Sequence, residues 1–269
     1  MNEISLAPSA APTAGHNRPR NEGTGLDVSW FESVGVNSSA VERRTTTLTA
    51  RRSVKKEFQA AWLVQAIACL DLTTLAGDDT PGRVHRLCAK ARQPLDEDLL
   101  EALGLTDAPP TVGAVCVYPT MVGPAVKALK GSGIPVASVA TGFPAGLTPL
   151  KQRLAEIDYA VGEGAAEIDI VVTRAHVLDR EWTALYDEVK AMREACGSAH
   201  LKAILATGDL KTLRNVYAAS MVAMQAGADF IKTSTGKEDV NATLPVSLTM
   251  LRALRDYRDL AGFDIGFKP

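Results

Sequence analysis

The sequence is poor in the residues that build covalent or metal-held frameworks. It has four cysteines in 269 residues, Cys69, Cys88, Cys116 and Cys196. No two form a C-x-x-C pair, so the spacing indicates neither a zinc site nor a disulfide framework. Free thiols in a reducing compartment are the simpler expectation. The four histidines, His16, His85, His176 and His200, are scattered and make no H-x-x-x-H pair, so no metal and no cofactor is expected. An excess of one charge is also lacking: 29 basic against 31 acidic residues leave a formal net charge of -2. That balance argues against a general binder of nucleic acid or other polyanions. No apolar run approaches the roughly 18 residues needed to span a membrane. The N-terminus has no apolar core of a secretory signal and carries acids early, at Glu3 and Glu22. The expectation is a cytoplasmic protein with a small-molecule partner, neither nucleic acid nor membrane.

What is present fits a globular chain. Hydrophobic residues make up 46% and charged residues 22%, ordinary values for such a protein, and the length suits one large barrel or two modest domains. Residues 1–25 are rich in Ala, Pro, Ser, Gly and Asn with no periodic apolar face, and are expected as a disordered tail. Residues 26–60 read as an arm followed by a helix from Ser39 to Phe58, with Ser39 as N-cap. Its basic run (Arg43, Arg44, Arg51, Arg52, Lys55, Lys56) suits a solvated helix face better than an anionic partner. Residues 61–269 form the main domain.

In that domain short apolar strands alternate with amphipathic helices. Strands are expected over 66–71, 112–118, 135–141, 166–172, 201–206, 229–233 and 264–268. Helices are expected over 79–91, 121–130, 148–163, 182–195, 210–225 and 245–260. Strands apolar on both faces and separated by helices call for a parallel sheet of right-handed βαβ units. No G-x-G-x-x-G follows the first strand, which disfavours a dinucleotide-binding sheet. Polar residues recur at strand ends, at Asp71, Thr141, Asp169, Lys202, Lys232 and Lys268, where a barrel gathers its chemistry at one mouth. The expected fold is therefore an α/β TIM (β/α)8 barrel. Only seven strands are recognisable, as though its C-terminal portion were absent, and an open barrel would leave two strand edges.

The stretch Phe230-Ile231-Lys232-Thr233-Ser234-Thr235-Gly236-Lys237 concentrates the chemistry. Lys232 stands inside an apolar run. A lysine there must be paired, reach water, or be partly neutral. A partly neutral amine attacks carbonyls and forms Schiff bases; the plainer reading is a lysine that snorkels to solvent. Thr235, Gly236 and Lys237 offer backbone N–H groups and a charge that could cradle an anion such as phosphate. This is not a Walker A loop, since no glycine stands five residues before Gly236. Asp169 lies within its strand and needs a partner; Lys202 on the next strand is the nearest candidate, as a structural ion pair or for proton transfer. Lys268, one strand beyond Lys232, would repel it and keep it partly neutral, or else is simply a charged chain end. Cys116 reads as a buried core thiol, with a reactive thiol as the alternative.

These residues coincide with a known family. The chain from about Ala60 to Pro269 resembles deoxyribose-phosphate aldolase, a class I, metal-independent aldolase. The resemblance is carried by Asp71-Leu72-Thr73-Thr74-Leu75, Ala114-Val115-Cys116-Val117-Tyr118-Pro119, Glu167-Ile168-Asp169-Ile170-Val171 and Lys202 with Ala206-Thr207-Gly208. The lysine stretch above and Gly266-Phe267-Lys268-Pro269 complete it. It implies a TIM barrel that reversibly cleaves 2-deoxy-D-ribose 5-phosphate to acetaldehyde and D-glyceraldehyde 3-phosphate. Lys232 would be the Schiff-base lysine, Lys268 the lysine that tunes it, and Asp169 the proton-transfer group. Asp71, Thr73 and Cys116 would border the substrate pocket and Lys202 would support the relay. Thr235, Gly236 and Lys237 would face the phosphate.

Family members continue beyond Gly-Phe-Lys-Pro with loops that carry most phosphate contacts. From that departure a weak or inactive truncated form is expected. The competing readings are another lysine aldolase of the same barrel type, such as a transaldolase-like enzyme, and a non-catalytic barrel fragment that acts as a binding protein. Room is left for a homo-oligomer.

Overall fold

The computed structural model describes residues 19–51 and 53–269. Residues 1–18 of the expected tail, and Arg52 of the basic run, lie outside them. In chain order the elements are helices α1 (Ser38–Thr46), α2 (Leu48–Arg51) and α3 (Lys56–Ala68), strand β1 (Asp71–Thr73), and helices α4 (Pro81–Arg92) and α5 (Glu97–Leu103). Strand β2 (Ala114–Val117), helix α6 (Val122–Leu129), strand β3 (Val136–Val139), helix α7 (Leu150–Gly162) and strand β4 (Glu167–Val171) follow. Then come helices α8 (Arg174–Leu178) and α9 (Trp182–Ala195), strand β5 (His200–Ile204), helix α10 (Leu213–Gln225), strand β6 (Phe230–Lys232), helix α11 (Leu244–Ala261) and strand β7 (Gly266–Lys268).

The seven strands form one parallel sheet in the order β1-β2-β3-β4-β5-β6-β7, curled as most of a barrel. Side chains alternate across it. Val115, Val117, Ile168, Ile170, Leu201, Ala203 and Ile231 pack outward in the main core beneath the helices. Ala114, Cys116, Ala137 and Val139 form a separate inner cluster with Leu75, Tyr118 and Phe143. The helices start where local chemistry permits. Thr80 caps α4, its side chain accepting from Arg83 N, with Pro81 in the first turn, where the missing N–H costs nothing. Thr243 caps α11 in the same way and Gly262 ends it in the left-handed region. Glycine is obligatory at Gly266, because a Cβ there would lie 2.1 Å from the Phe230 ring.

Several expectations change in the N-terminal part. The single helix from Ser39 to Phe58 is broken into α1 and α2, and α3 begins only at Lys56. Its first cap is Asn37, whose Oδ1 accepts from Ala40 N at 2.9 Å, not Ser39. Residues 66–68 end α3 instead of starting a strand. An apolar run alone does not separate helix from strand. Nor is the tail uniformly loose. Asn21 is buried, with its N–H donating to Asp229 Oδ1 at 2.7 Å and its side-chain amide donating to Met224 O and Ala228 O. Trp30 and Phe31 stack edge-on against Tyr257 and Trp182. The arm is thus fastened across the N-terminal end of the sheet by satisfied polar groups and aromatic burial.

Candidate active site

Register brings the charged residues to one place. Asp169 pairs with Lys202 across β4 and β5, while Lys232 pairs with Ile204 on one side and Lys268 on the other. All four side chains lie on the inward face. Lys232 Nζ donates to Asp169 Oδ2 at 2.7 Å. Lys202 Nζ lies 3.2 Å from Asp169 Oδ1, 2.5 Å from Glu167 Oε2 and 2.7 Å from Asp71 Oδ2. Lys268 Nζ reaches Asp71 Oδ1 at 2.6 Å and the Cys69 carbonyl at 3.0 Å. Lys232, Asp169, Lys202, Asp71 and Lys268 therefore form one unbroken line of ion pairs across the lumen. With Glu167 added, three ammonium groups face three carboxylates. That balance is what allows so many charges to be buried together.

Exposure divides the lysines. Lys202 is 1% exposed at its side chain, enclosed by its three carboxylates. Lys232 is 20% exposed and Lys268 17%, so both amines open to the mouth, and Lys232 is the one beside a fully buried carboxylate, Asp169. Burial presses the Lys232 ammonium to lose its proton, but the charge and hydrogen bond of Asp169, together with Cys116, raise its pKa above the ordinary lysine value. Asp169 itself resists burial and is held below the ordinary carboxylate range by Lys202 and Lys232. Asp71 is likewise lowered against its burial by Lys202 and Lys268. Lys202 is raised well above its ordinary value, its burial overcome by Asp169, Glu167 and Asp71.

Lys268 has a partner that the expectation did not include. Lys232 and Lys268 do share the mouth, as register neighbours. However, Lys268 is neutralised by Asp71, and the like charge that presses on Lys232 is Lys202. Lys232 is paired to Asp169 at 2.7 Å, which favours its charged form.

The remaining expected residues fall around this line. Cys116 is buried in the inner cluster and its thiol is pushed up to about 12, by burial first and then by Asp169, which suits the core-thiol reading. Thr73 is exposed at the end of β1, its hydroxyl donating to Asp71 O at 2.7 Å. The loop of Thr235, Gly236 and Lys237 is less open than expected. Thr235 N donates to both Glu238 carboxylate oxygens, at 3.2 and 3.0 Å, and Lys237 N donates to Thr235 Oγ1 at 3.0 Å. Lys237 Nζ is exposed, 3.5 Å from Leu75 O. The sequence reading missed Glu238, although Thr-x-x-Glu is a known signature of a side chain reaching back to a backbone N–H. It also missed Glu167 as a partner of Lys202, although alternation puts Glu167 on the same face as Asp169. No group of histidine, cysteine and acidic residues suited to a metal occurs among the described residues.

The structure is thus a curled parallel sheet of α/β type with a carboxylate-paired lysine at its mouth. Residues 65–258 match the family described as DeoC/LacD family aldolase, and the chain belongs to that family. It is 61% identical over 251 residues to deoxyribose-phosphate aldolase of Homo sapiens, covering 93% of this chain and 79% of the human protein. It is 62% identical over 249 residues to the Mus musculus protein of the same name, covering 92% and 78%. The fold is shared with a solved tetrameric deoxyribose phosphate aldolase from Aeropyrum pernix, at TM-score 0.58 and 23% identity over 76% of each chain.

Proposed function

We propose that this chain reversibly cleaves 2-deoxy-D-ribose 5-phosphate to acetaldehyde and D-glyceraldehyde 3-phosphate through a Schiff base on Lys232. The observation that carries the reading is the mouth-facing amine of Lys232, 2.7 Å from the buried Asp169 carboxylate. The names of the human and mouse relatives supply the substrate.

The Lys232 ammonium loses its proton to water at the mouth, and the freed amine adds to the C1 aldehyde of the open-chain sugar. Loss of water leaves an iminium that draws electrons from the C2–C3 bond. As that bond breaks, the C3 hydroxyl loses its proton and C3 becomes the aldehyde of glyceraldehyde 3-phosphate. The bond's electron pair becomes an enamine on C2. Protonation at C2 and hydrolysis release acetaldehyde and the amine. Asp169 is the group placed to move protons. Lys202 holds Asp169 in place and lowers its basicity, and Asp71 with Lys268 completes the charge balance. Cys116, Thr73 and Asp71 border the pocket. Gly236 and Lys237 face the phosphate, with Thr235 shaping their loop.

The family's small-molecule chemistry supports a sugar phosphate, not nucleic acid or membrane, as the partner. No described helix is long and apolar enough to cross a membrane. The four free cysteines suit a reducing, cytoplasmic compartment. A homo-oligomer accords with the tetrameric Aeropyrum pernix relative, and light scattering would measure it. Borohydride reduction in the presence of acetaldehyde should leave a two-carbon adduct at Lys232, found by peptide mass mapping. Wild-type protein should also release acetaldehyde from deoxyribose 5-phosphate, and Lys232→Met should do neither. Because the pairing with Asp169 favours the charged form of Lys232, trapping should speed up toward alkaline pH. An adduct at another lysine, or acetaldehyde release that survives Lys232→Met, would refute the assignment.

A further inference from the structure

The loop after β6 carries a buried acid that the chemistry above does not use. Glu238 is 5% exposed at its side chain and lies 3.5 Å from Arg174. Its two oxygens accept the Thr235 N–H. Arg174, at the start of α8, gathers acceptors from the neighbouring loops. It donates to Ala145 O at 2.7 Å and Pro144 O at 3.3 Å, after β3, and pairs with Asp209 at 2.9 Å, after β5. One guanidinium thus clasps the loops that follow β3, β4, β5 and β6. Its charge is met by Asp209 and Glu238.

The clasp decides which amides of the loop remain free. Glu238 consumes Thr235 N–H, and Thr235 Oγ1 consumes Lys237 N–H. Among the described residues, Gly236 N–H donates to no protein acceptor. Gly236 sits at φ +82° and is exposed. A carboxylate already on Thr235 N–H also repels any second anion from that amide. An incoming anion is thereby directed to Gly236 N–H and the exposed Lys237 ammonium.

We propose that Glu238 and Arg174 are positioning residues that hold Gly236 N–H and Lys237 toward the phosphate of the substrate. They would thereby set selectivity for phosphorylated over unphosphorylated sugar. The proposal rests on the reading given under Proposed function.

Its test compares Glu238→Ala and Glu238→Gln with wild type on deoxyribose 5-phosphate and on 2-deoxyribose, with acetaldehyde trapping at Lys232 as the check on the barrel and its amine. Glu238→Ala should lower kcat/KM for the phosphate ester about tenfold, through KM, the scale expected for lost charge-assisted hydrogen bonds. It should leave trapping intact and kcat/KM for 2-deoxyribose within about twofold. Glu238→Gln keeps an acceptor for Thr235 N–H and should recover most of the loss. Equal losses on both sugars, or no loss on either, overturn the proposal. Inorganic phosphate keeps the clasp separate from the aldolase reading. In wild type it should shift the Gly236 amide resonance, with about tenfold weaker binding in Glu238→Ala. If wild type traps no acetaldehyde, the aldolase reading fails and the clasp stands or falls on this titration. An unmoved Gly236 amide, or equal affinity in the variant, overturns the clasp.

Discussion

The centre and the edges of the sheet are held by different means. Strands β4 and β5 are five residues long, wholly buried, and joined over five register positions. Strands β1 and β7 are three residues each, partly exposed, and each pairs with one neighbour. In the centre the main-chain ladder fixes where Asp169 and Lys202 point. At the edges, side chains do that work, with Lys268 reaching Asp71 and Cys69 O. The helix before β1 follows the same division: Phe58, Trp62 and Leu63 on α3 are 58%, 65% and 60% exposed. The carboxylate thus belongs to the long central pair, the amine stands on three-residue β6 between that pair and the edge, and the far end of the charge line hangs on the edge itself.

The sharpest probe of the centre is Asp169→Asn. The amide still fills the space and still accepts from Lys202, but it takes no proton. A fall in retro-aldol rate of about 10²–10⁴-fold is expected, with far-UV circular dichroism unchanged. Packing comes next. Ile170→Ala on the buried outer face of β4 should cost about 2–5 kcal/mol in urea unfolding. Lys268→Met takes one partner from Asp71, which keeps Lys202; a loss of about 1–3 kcal/mol is expected. If instead it matched or exceeded Ile170→Ala, the edge would be no weaker than the centre.

Acid should act through the same groups. Asp71 and Asp169 both have folded pKa values lowered below the ordinary carboxylate value. Their contribution is fully present above the unfolded value of ~3.9 and is lost as pH falls through the lowered folded values. Unfolding free energy should fall below about pH 4, less steeply in Asp169→Asn than in wild type. The smallest effect is expected on α3, where Trp62→Ser should change stability by less than about 0.5 kcal/mol. A loss comparable with Ile170→Ala would show that this helix is buried in solution.

Much of the centre was legible in the sequence because its signals are local and redundant. Helix α9 falls at Trp182–Ala195 as its apolar period predicts. The inner strands fall within their apolar runs, and alternation places Asp169 and Lys232 inward. The short helices α5 and α8 were missed, because seven and five residues carry too little period to be read. The boundary before β1 was lost because α3 is apolar all round and has no buried face. Within the site, residue types and faces were readable but pairings were not. That Asp71 would neutralise Lys268, and that Lys202 would gather Glu167 as well, depends on distances across the lumen. The charge on Lys232 depends on those pairings too.

The strand bearing Lys232 is pinned at its foot as well as at its tip. Asp229, the residue before β6, accepts Asn21 N–H through Oδ1, and through Oδ2 it accepts Leu201 N–H and Arg193, each of these two at 2.8 Å. A peptide segment two hundred residues upstream in the chain therefore helps fix the height at which the amine stands. One carboxylate thus joins the N-terminal arm to the foot of the strand that carries the amine.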